Sequence, residues 1–444
     1  MQEIKLSDHF TYKKLIRFVI PSIVMMIFTS VYGVVDGLCV SNFVGKTPFA
    51  ALNLIMPFIM ILGAVGFMIG TGGSALVAKT LGEGDRLRAD RYFTMLIMLD
   101  IIAGVLLAVT GILFIQPVAV LLGANETLLP HCVLYGRIVL AGLPAFMLQN
   151  AFQSFLITAE KPKLGLVVTV LAGVTNIILD LLFVGLFSWG LAGAASATVI
   201  SQLVGGLVPF FYFARDNASL LRLRKTRLEA RPLLKACANG SSELMSNISM
   251  SLVGMLYNLQ LMNYAGEDGV SAYGVIMYVN FIFVAVFIGY SIGSAPIVGY
   301  HYGAMNSPEL KNLLKKSVTL LGMAGLAMTA LAEALAYPLT MIFVGYDEAL
   351  AELTCRGFRL YSLSFLLCGF NIYGSAFFTA LNNGAVSAVI SFLRTLVFQV
   401  AALLILPMIW DVDGIFFAIV AAEIMAFLLT AVFLVAKRRK YNYF

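Results

Sequence analysis

The chain has 444 residues, of which 60% are hydrophobic and only 12% are charged. Soluble domains are typically about 45–50% apolar and about 25% charged, so a soluble fold could not cover this much apolar surface. A collagen-like G-X-Y period is absent, and the content of Leu, Ile, Val and Phe is too high for a disordered chain. The composition therefore predicts an all-α integral membrane protein.

Twelve segments are apolar and long enough to cross the hydrocarbon core, which requires about 20 residues. The predicted spans are 15–43, 48–79, 92–115, 131–158, 164–188, 190–214, 236–264, 272–300, 316–345, 357–380, 386–410 and 413–436. Turn-forming sequences separate several of them, such as Gly-Glu-Gly-Asp at 82–85 and Asn-Asn-Gly at 382–384.

The basic residues are concentrated in loops on one side of the predicted bundle. They lie before span 1, in the 2–3, 4–5, 6–7 and 8–9 loops, and after span 12, whereas the opposite loops are mostly acidic. The positive-inside rule therefore predicts that both termini are cytoplasmic. The net charge of +6 is then a topology signal, and we expect no nucleic-acid partner.

The two halves of the chain are related by a repeat. Identical residues recur 221 positions apart, as in Gly45/Gly266, Gly72/Gly293, Gly82/Gly303, Pro117/Pro338 and Asn150/Asn371. Each repeat holds six spans, so both enter the membrane from the same side, and such parallel repeats are related by an axis along the membrane normal. The predicted organisation is an N-terminal lobe (1–214), a basic cytoplasmic linker (215–235) and a C-terminal lobe (236–444). Spans 1, 2, 7 and 8 are expected to surround a central cavity.

Ionisable side chains inside spans are costly and indicate candidate functional sites. They are Asp36, Asp100, Asp180, Glu243, Glu333, Arg394 and Glu423. Asn176 and Asp180 are four residues apart and share one helical face. If Asp36 and Asp180 met in one low-dielectric pocket, they would need a proton or a bound cation, and their oxygens suit Na⁺ or H⁺. The alternative is two separate, hydrogen-bonded helix–helix contacts.

Several motifs resemble those of a known family. They are Pro21-Ser22 and Tyr32-Gly33-Val34-Val35-Asp36 in span 1, the run 75–82 with its echo at 296–303, and Asn176…Asp180 followed by 189–195 and Thr198. Over nearly its whole length the chain resembles the multidrug and toxic compound extrusion (MATE) transporters, and the bacterial DinF-like and MepA-like members look most similar. The resemblance implies a multi-pass protein of the bacterial cytoplasmic (inner) membrane.

The resemblance also implies roles for individual residues. The positions that match the family's cation site are Asp36, Asn176, Asp180 and Thr198, and the first three would be metal ligands if the cation is Na⁺. Pro21 matches the family's hinge in span 1, although it could equally be an ordinary membrane-helix proline. Glu243 matches an acid that other branches carry in the C-terminal lobe, and its alternative role is to cap span 7.

The remaining polar residues receive simpler interpretations. Tyr32 lies one turn from Asp36, and we expect it to line the substrate cavity with Gln149, Asn150 and Gln153. Asp100, Glu333 and Glu423 match no motif, and we expect hydroxyl or backbone-carbonyl partners within their own lobes. The five cysteines are scattered and include no CxxC, so we expect buried, inert thiols.

The resulting hypothesis is a secondary active exporter that exchanges Na⁺ or H⁺ for organic cationic or amphipathic compounds. No P-loop is present, and the Gly-Glu-Gly-Asp sequence lies in a loop, so we expect neither direct use of ATP nor an enzyme. A lipid-linked precursor flippase of the same superfamily is the main alternative, and an ion channel is a further one. We expect no cofactor apart from the coupling ion, contacts with membrane lipids, and a monomer.

Overall fold

The computed structural model describes residues 4–443, apart from the side chains of Leu38, Cys39, Ser41, Asn42 and Lys46. The regular structure within this range is helical. The first half contains α1 (Tyr12–Val44), α2 (Lys46–Gly82), α3 (Arg86–Leu121), α4 (Leu129–Ala141 and Leu143–Thr158, bent by 53°), α5 (Pro162–Asp180, continued by a π-helical turn, Leu181–Leu186) and α6 (Gly190–Ala214).

The second half repeats this series. It contains α7 and α8, which share the helical segment Ala230–Gly303, α9 (Ser307–Val344), α10 (Glu348–Ser362 and Phe365–Ala380, bent by 47°), α11 (Gly384–Phe392, a π-helical turn at Leu393–Val397, and Phe398–Ile405) and α12 (Pro407–Tyr441). The shared segment divides at Gly266, where φ is 63° and ψ is −151°, into α7 (230–265) and α8 (267–303). The predicted loop between spans 7 and 8 is therefore a single glycine kink.

Two glycines of the repeat occupy equivalent positions in the backbone. Gly45 separates α1 from α2 with φ at 103°, and Gly266 separates α7 from α8. Positive φ is strained for residues with a Cβ, so glycine permits the abrupt change of direction at both junctions. With the division at Gly266 and each bent pair counted once, the described residues contain the twelve predicted spans.

The helices form two lobes, each with its own hydrophobic core. One core is built mainly from α2–α6 and the other mainly from α8–α12. Phe18 and Val19 at the start of α1 nevertheless belong to the C-terminal core, whereas Leu233 and Ala236 at the start of α7 belong to the N-terminal core. The beginnings of α1 and α7 thus cross to the opposite lobe, as expected for two repeats related by a two-fold axis.

The lobes are in close backbone contact towards the end of the bundle where α2 ends and α3 begins, here called the basic end. A Cβ added to Gly72 would lie 2.5 Å from the amide nitrogen of Gly240. A Cβ added to Gly82 would meet the backbone at Tyr300, and one added to Gly303 would meet the backbone at Lys79. The 221-residue repeat relates the last two contacts, because it pairs Gly82 with Gly303 and Lys79 with Tyr300. We call Gly72, Gly82, Gly240 and Gly303 the glycine seam.

The N-terminal segment 4–11 joins the two lobes at the basic end. The amide of Leu6 donates to the Glu160 carboxylate, which follows α4 in the N-terminal lobe. The amide of Phe10 donates to the Glu309 carboxylate on α9 at 2.9 Å, and His9 contacts the same carboxylate at 2.6 Å. Leu6 and Phe10 are fully buried, so this segment is a packed bridge between the lobes.

The cysteines only partly match expectation. Among the described thiols, Cys132 and Cys368 are buried, whereas Cys237 and Cys355 are only partly buried. The expectation of buried thiols is therefore wrong for these two. Cys237 lies near the start of α7, where the lobes meet, rather than within the core of one lobe. The side chain of Cys39 lies outside the described residues.

Candidate functional site

The structure brings α1 and α5 together so that three predicted site residues meet. The Asp36 carboxylate lies next to the side chains of Asp180 and Asn176. Asn176 and Asp180 are each 1% exposed, one turn apart on the buried face of α5. Helical spacing predicted that Asn176 and Asp180 share a face, but only the packing of α1 against α5 brings Asp36 to them.

The polar atoms of this cluster lack partners among the described residues. Oδ1 of Asp36, both carboxylate oxygens of Asp180 and both amide atoms of Asn176 are buried and make no hydrogen bond. Carboxylate oxygens have no proton to donate, so two adjacent carboxylates cannot satisfy each other unless a proton or cation lies between them. The donor set fits a small, hard cation, because all of its oxygens are carboxylate or amide oxygens.

One further polar residue lies beside the cluster. Tyr135 of α4 is 1% exposed and within electrostatic range of both carboxylates. Sequence reasoning missed Tyr135, because a single tyrosine in an apolar span carries no pattern that separates it from core residues. The π-helical turn that begins directly after Asp180 is a feature common at functional sites.

Tyr32 connects this cluster to another predicted residue of the N-terminal lobe. Tyr32 interacts with both Asp36 and Gln149, so a polar layer adjoins the carboxylates. Asn150 and Gln153 are 5% and 7% exposed inside the lobe. The hydroxyl of Thr198 donates to the backbone oxygen of Ala194 at 3.0 Å, which leaves its oxygen lone pairs for a cation.

Two predicted residues lie apart from the carboxylate cluster. Pro21 lies inside α1, and the helix continues through it. Glu243 is partly buried on α7, where its backbone oxygen accepts a hydrogen bond from Asn247. The alternative role of Glu243 as a cap does not fit its position, because α7 begins at Ala230, several turns earlier.

The C-terminal lobe contains a buried ion pair instead of an unpaired acidic cluster. The Arg394 guanidinium contacts the Glu423 carboxylate at 2.7 Å, and Asn371 donates to the same carboxylate at 2.6 Å. Glu333 accepts from the Ser362 hydroxyl at 2.6 Å, as expected for a hydroxyl partner. The main partner of Glu423 is a charged residue rather than the expected hydroxyl or carbonyl. Asp100 has no hydrogen-bond partner in the described part of the chain, so that expectation is wrong for it.

The MatE family model matches two stretches of the sequence, residues 21–182 and 244–404. The chain belongs to the MATE family. The two matched stretches in this MATE protein correspond to the two lobes and to the repeat seen in the sequence. The resemblance inferred from the motifs is thereby confirmed.

Curated relatives of this MATE protein cover most of its length. The multidrug export protein MepA of Staphylococcus saprophyticus is 22% identical over 406 residues, which cover 91% of this chain and 88% of the relative. The MepA protein of Staphylococcus aureus is 20% identical over 413 residues, covering 93% and 91%.

Solved structures show the same fold as this MATE protein. A crystal structure of MATE in complex with MaL6 has a TM-score of 0.92 at 24% identity, covering 99% of this chain and 100% of that one. A MOP superfamily transporter from Pyrococcus furiosus has a TM-score of 0.89 at 24% identity and covers 98% of both chains. This protein is therefore a multi-pass membrane protein with twelve helices in two parallel lobes, as the sequence predicted.

Proposed function

We propose that this protein is a secondary active multidrug exporter that exchanges Na⁺ or H⁺ for organic cationic or amphipathic compounds by alternating access. The observation that carries the proposal is the pair of adjacent carboxylates, the buried Asp180 and the partly buried Asp36, which have no counter-charge among the described residues. The family supports it, since two of the relatives similar over most of this chain are named multidrug export proteins.

The carboxylate pair provides a physical means of coupling. Without a cation, like-charge repulsion and burial both oppose the doubly ionised pair, so one carboxyl takes a proton. A bound Na⁺ or H⁺ draws α1 towards α5 at Asp36, with Asn176, Asp180 and Thr198 as the other ligands. Pro21 removes one backbone hydrogen bond from α1 and is the proposed hinge. Export results if cation and drug favour opposite conformations of α1.

The polar layer beside the carboxylates is the proposed start of the drug cavity. Tyr32 adjoins Asp36 and contacts Gln149, while Asn150 and Gln153 extend the amide-bearing face along α4. Glu243 on α7 is the proposed acidic contact for a cationic drug from the opposite lobe. Alternation requires the glycine seam to part, because it closes the basic end when α2 and α8 touch.

The orientation of the protein follows from its loops. We propose that the basic end faces the cytoplasm of a bacterium, so that both termini and the linker are cytoplasmic. The protein would act as a monomer in the cytoplasmic membrane, without a cofactor other than the coupling cation and without a nucleic-acid partner.

The test is uptake of ethidium into inverted membrane vesicles that contain the full-length protein. Uptake should require a higher Na⁺ or H⁺ concentration inside the vesicles than outside, because the cation leaves as the drug enters, and it should stop when both gradients are collapsed. Asp36→Asn should abolish it, because the amide removes the charge that a cation must balance. Asn176→Ala should weaken it less, since a neutral ligand contributes no charge balance.

The matched control is Glu126→Gln, which removes an exposed carboxylate in the loop between α3 and α4. It should export at the wild-type rate. Wild-type export by Asp36→Asn, with equal amounts of inserted protein, would contradict the coupling mechanism. Gradient-independent ion currents without drug uptake would contradict the exporter itself.

A further inference from the structure

Asp100 is a buried carboxylate that the proposed transport mechanism does not use. It lies in the middle of α3, its side chain is completely buried, and neither carboxylate oxygen has a hydrogen-bond partner among the described residues. Glu423, which is equally buried, has a guanidinium and an amide for partners. Asp100 thus differs from a structural acid whose burial is offset by a built-in partner.

The turns of α3 on either side of Asp100 pack against apolar parts of the N-terminal lobe. One turn away on α3, Leu96 packs against Gly73 of α2, and on the other side Gly104 packs against Pro144 of α4. Among the described residues, the thiol of Cys237, across the lobe boundary on α7, is a titratable side chain within electrostatic range of Asp100. A thiol is a weak hydrogen-bond donor and carries no positive charge.

This environment suits a proton and not a metal cation. Sodium and similar hard ions need several oxygen ligands, whereas Asp100 offers one carboxyl group and has a sulfur neighbour. An ionised carboxylate is strongly disfavoured in such a site, and protonation of one oxygen removes the charge without any other ligand. The Asp36–Asp180 pair, with its additional amide oxygen, has ligands for either cation.

We propose that Asp100 is a second proton-binding site, separate from the Asp36–Asp180 pair, whose occupancy depends on whether the basic end is closed. With the seam closed, Asp100 holds one proton on its carboxyl group. When the lobes part, water reaches the carboxyl, the proton passes to water, and the carboxylate remains. The conformational step rests on the proposed alternation between two states, whereas proton binding by the closed state does not.

The glycine seam links Asp100 to the opening of the basic end. Cys237 lies directly after Ala236 and three residues before Gly240, and both of these meet Gly72 of α2. The start of α7 that lies within electrostatic range of Asp100 is therefore the same segment that closes the seam. Movement of α7 away from α2 would admit water to this region in the same step, so protonation of Asp100 favours the closed seam.

The experiment is infrared spectroscopy of the purified full-length protein as a function of pH. The absorption of a protonated carboxylic acid is compared between wild type and Asp100→Asn, and their difference isolates Asp100 from the other acids. We expect a component at neutral pH that Asp100→Asn lacks and that Asp100→Glu restores at a shifted frequency. Asp100→Leu, which needs no hydrogen-bond partner, replaces the amide variant if that one does not fold.

A second comparison tests the link to the seam. Gly82→Ala, which forces the seam apart, should shift the titration of the Asp100 component to lower pH. Gly254→Ala should leave the titration unchanged, because nothing lies within 4 Å of the added methyl group. Spectra of Asp100→Asn and wild type that coincide would overturn the proton site. A titration that Gly82→Ala leaves unchanged would overturn its dependence on the closed basic end.

These outcomes are separable from those for the proposed function. Asp36→Asn should abolish export and retain the Asp100 component. If the wild type exports no drug but shows the component, the exporter proposal fails and the proton site stands. If export is normal and the Asp100 component is missing, the proton site fails and the exporter proposal stands.

Discussion

The close contacts in the glycine seam predict that Gly82→Ala will open the basic end. A methyl group added there would lie 2.9 Å from the carbonyl carbon of Tyr300 and closer still to its oxygen, whereas ordinary contact begins at 3.4 Å. The obstacle is helix backbone, so α2 and α8 must separate at this point by more than the roughly 0.5 Å that the carbonyl-carbon contact alone would require. Overpacking of this kind typically costs about 1–3 kcal/mol. We therefore expect Gly82→Ala to disfavour the closed basic end by about 5–150-fold relative to the open one.

The assay is a distance measurement between spin labels across the seam. Leu87 at the start of α3 and Met305 after α8 are 58% and 88% exposed, so cysteines there can be labelled in a background without the native cysteines. Gly82→Ala should move the distance distribution to longer values. Gly254→Ala is the control, because it adds the same methyl group to a helix where nothing lies within 4 Å.

Two outcomes would contradict the idea that the glycine seam holds the basic end closed. If the distribution of Gly82→Ala coincides with that of the wild type, the seam does not hold the basic end shut. If Gly254→Ala opens the basic end as much as Gly82→Ala, the effect comes from helix propensity and not from the contact between lobes. The mirror-related variant Gly303→Ala should act in the same direction, since its methyl group would lie 2.8 Å from the carbonyl carbon of Lys79.

Two further predictions concern stability, measured by thermal denaturation in detergent. Arg394→Met should lower the free energy of unfolding by about 3–5 kcal/mol, because it leaves the Glu423 carboxylate buried without its counter-charge. The double variant Arg394→Met/Glu423→Gln should lose less stability than Arg394→Met. An equal or greater loss in the double variant would show that the ion pair is unimportant. Phe10→Ala should lower the free energy of unfolding by about 3–5 kcal/mol, because the ring is fully buried in the bridge between lobes. The control is Lys13→Ala, which changes an exposed residue. A Phe10→Ala protein as stable as that control would contradict the bridge.

The sequence by itself determined the class and the number of spans. Apolar segments of about 20 residues can only be satisfied by crossing the bilayer as helices, so composition and length suffice for that inference. The 221-residue repeat located glycines such as Gly45 and Gly266 at equivalent junctions, where the structure shows positive φ at both. It did not show that α7 and α8 are continuous apart from one residue, because hydropathy cannot distinguish a short loop from a kink.

Local spacing also decided part of the candidate site. Asn176 and Asp180 share a face of α5 because residues four apart always do in a helix. The meeting of Asp36 with this pair depends on how α1 packs against α5, which no local pattern in the sequence specifies. Tyr135 escaped notice for the same reason, since its proximity to the carboxylates comes from a third helix.

The buried acids show most clearly what only the tertiary structure decided. In the sequence, Asp100 and Glu423 are alike, each a single acid among apolar residues of a span, and Asp180 differs from them by having Asn176 on the same helical face. In the structure Glu423 meets Arg394, Asp180 meets a second carboxylate, and Asp100 has no hydrogen-bond partner within residues 4–443. The state of a buried carboxyl depends on the charges and donors within a few ångströms, and these come from other helices. The sequence therefore identifies the costly residues, and only the packing of the helices decides whether each one needs an arginine, a shared cation or a proton.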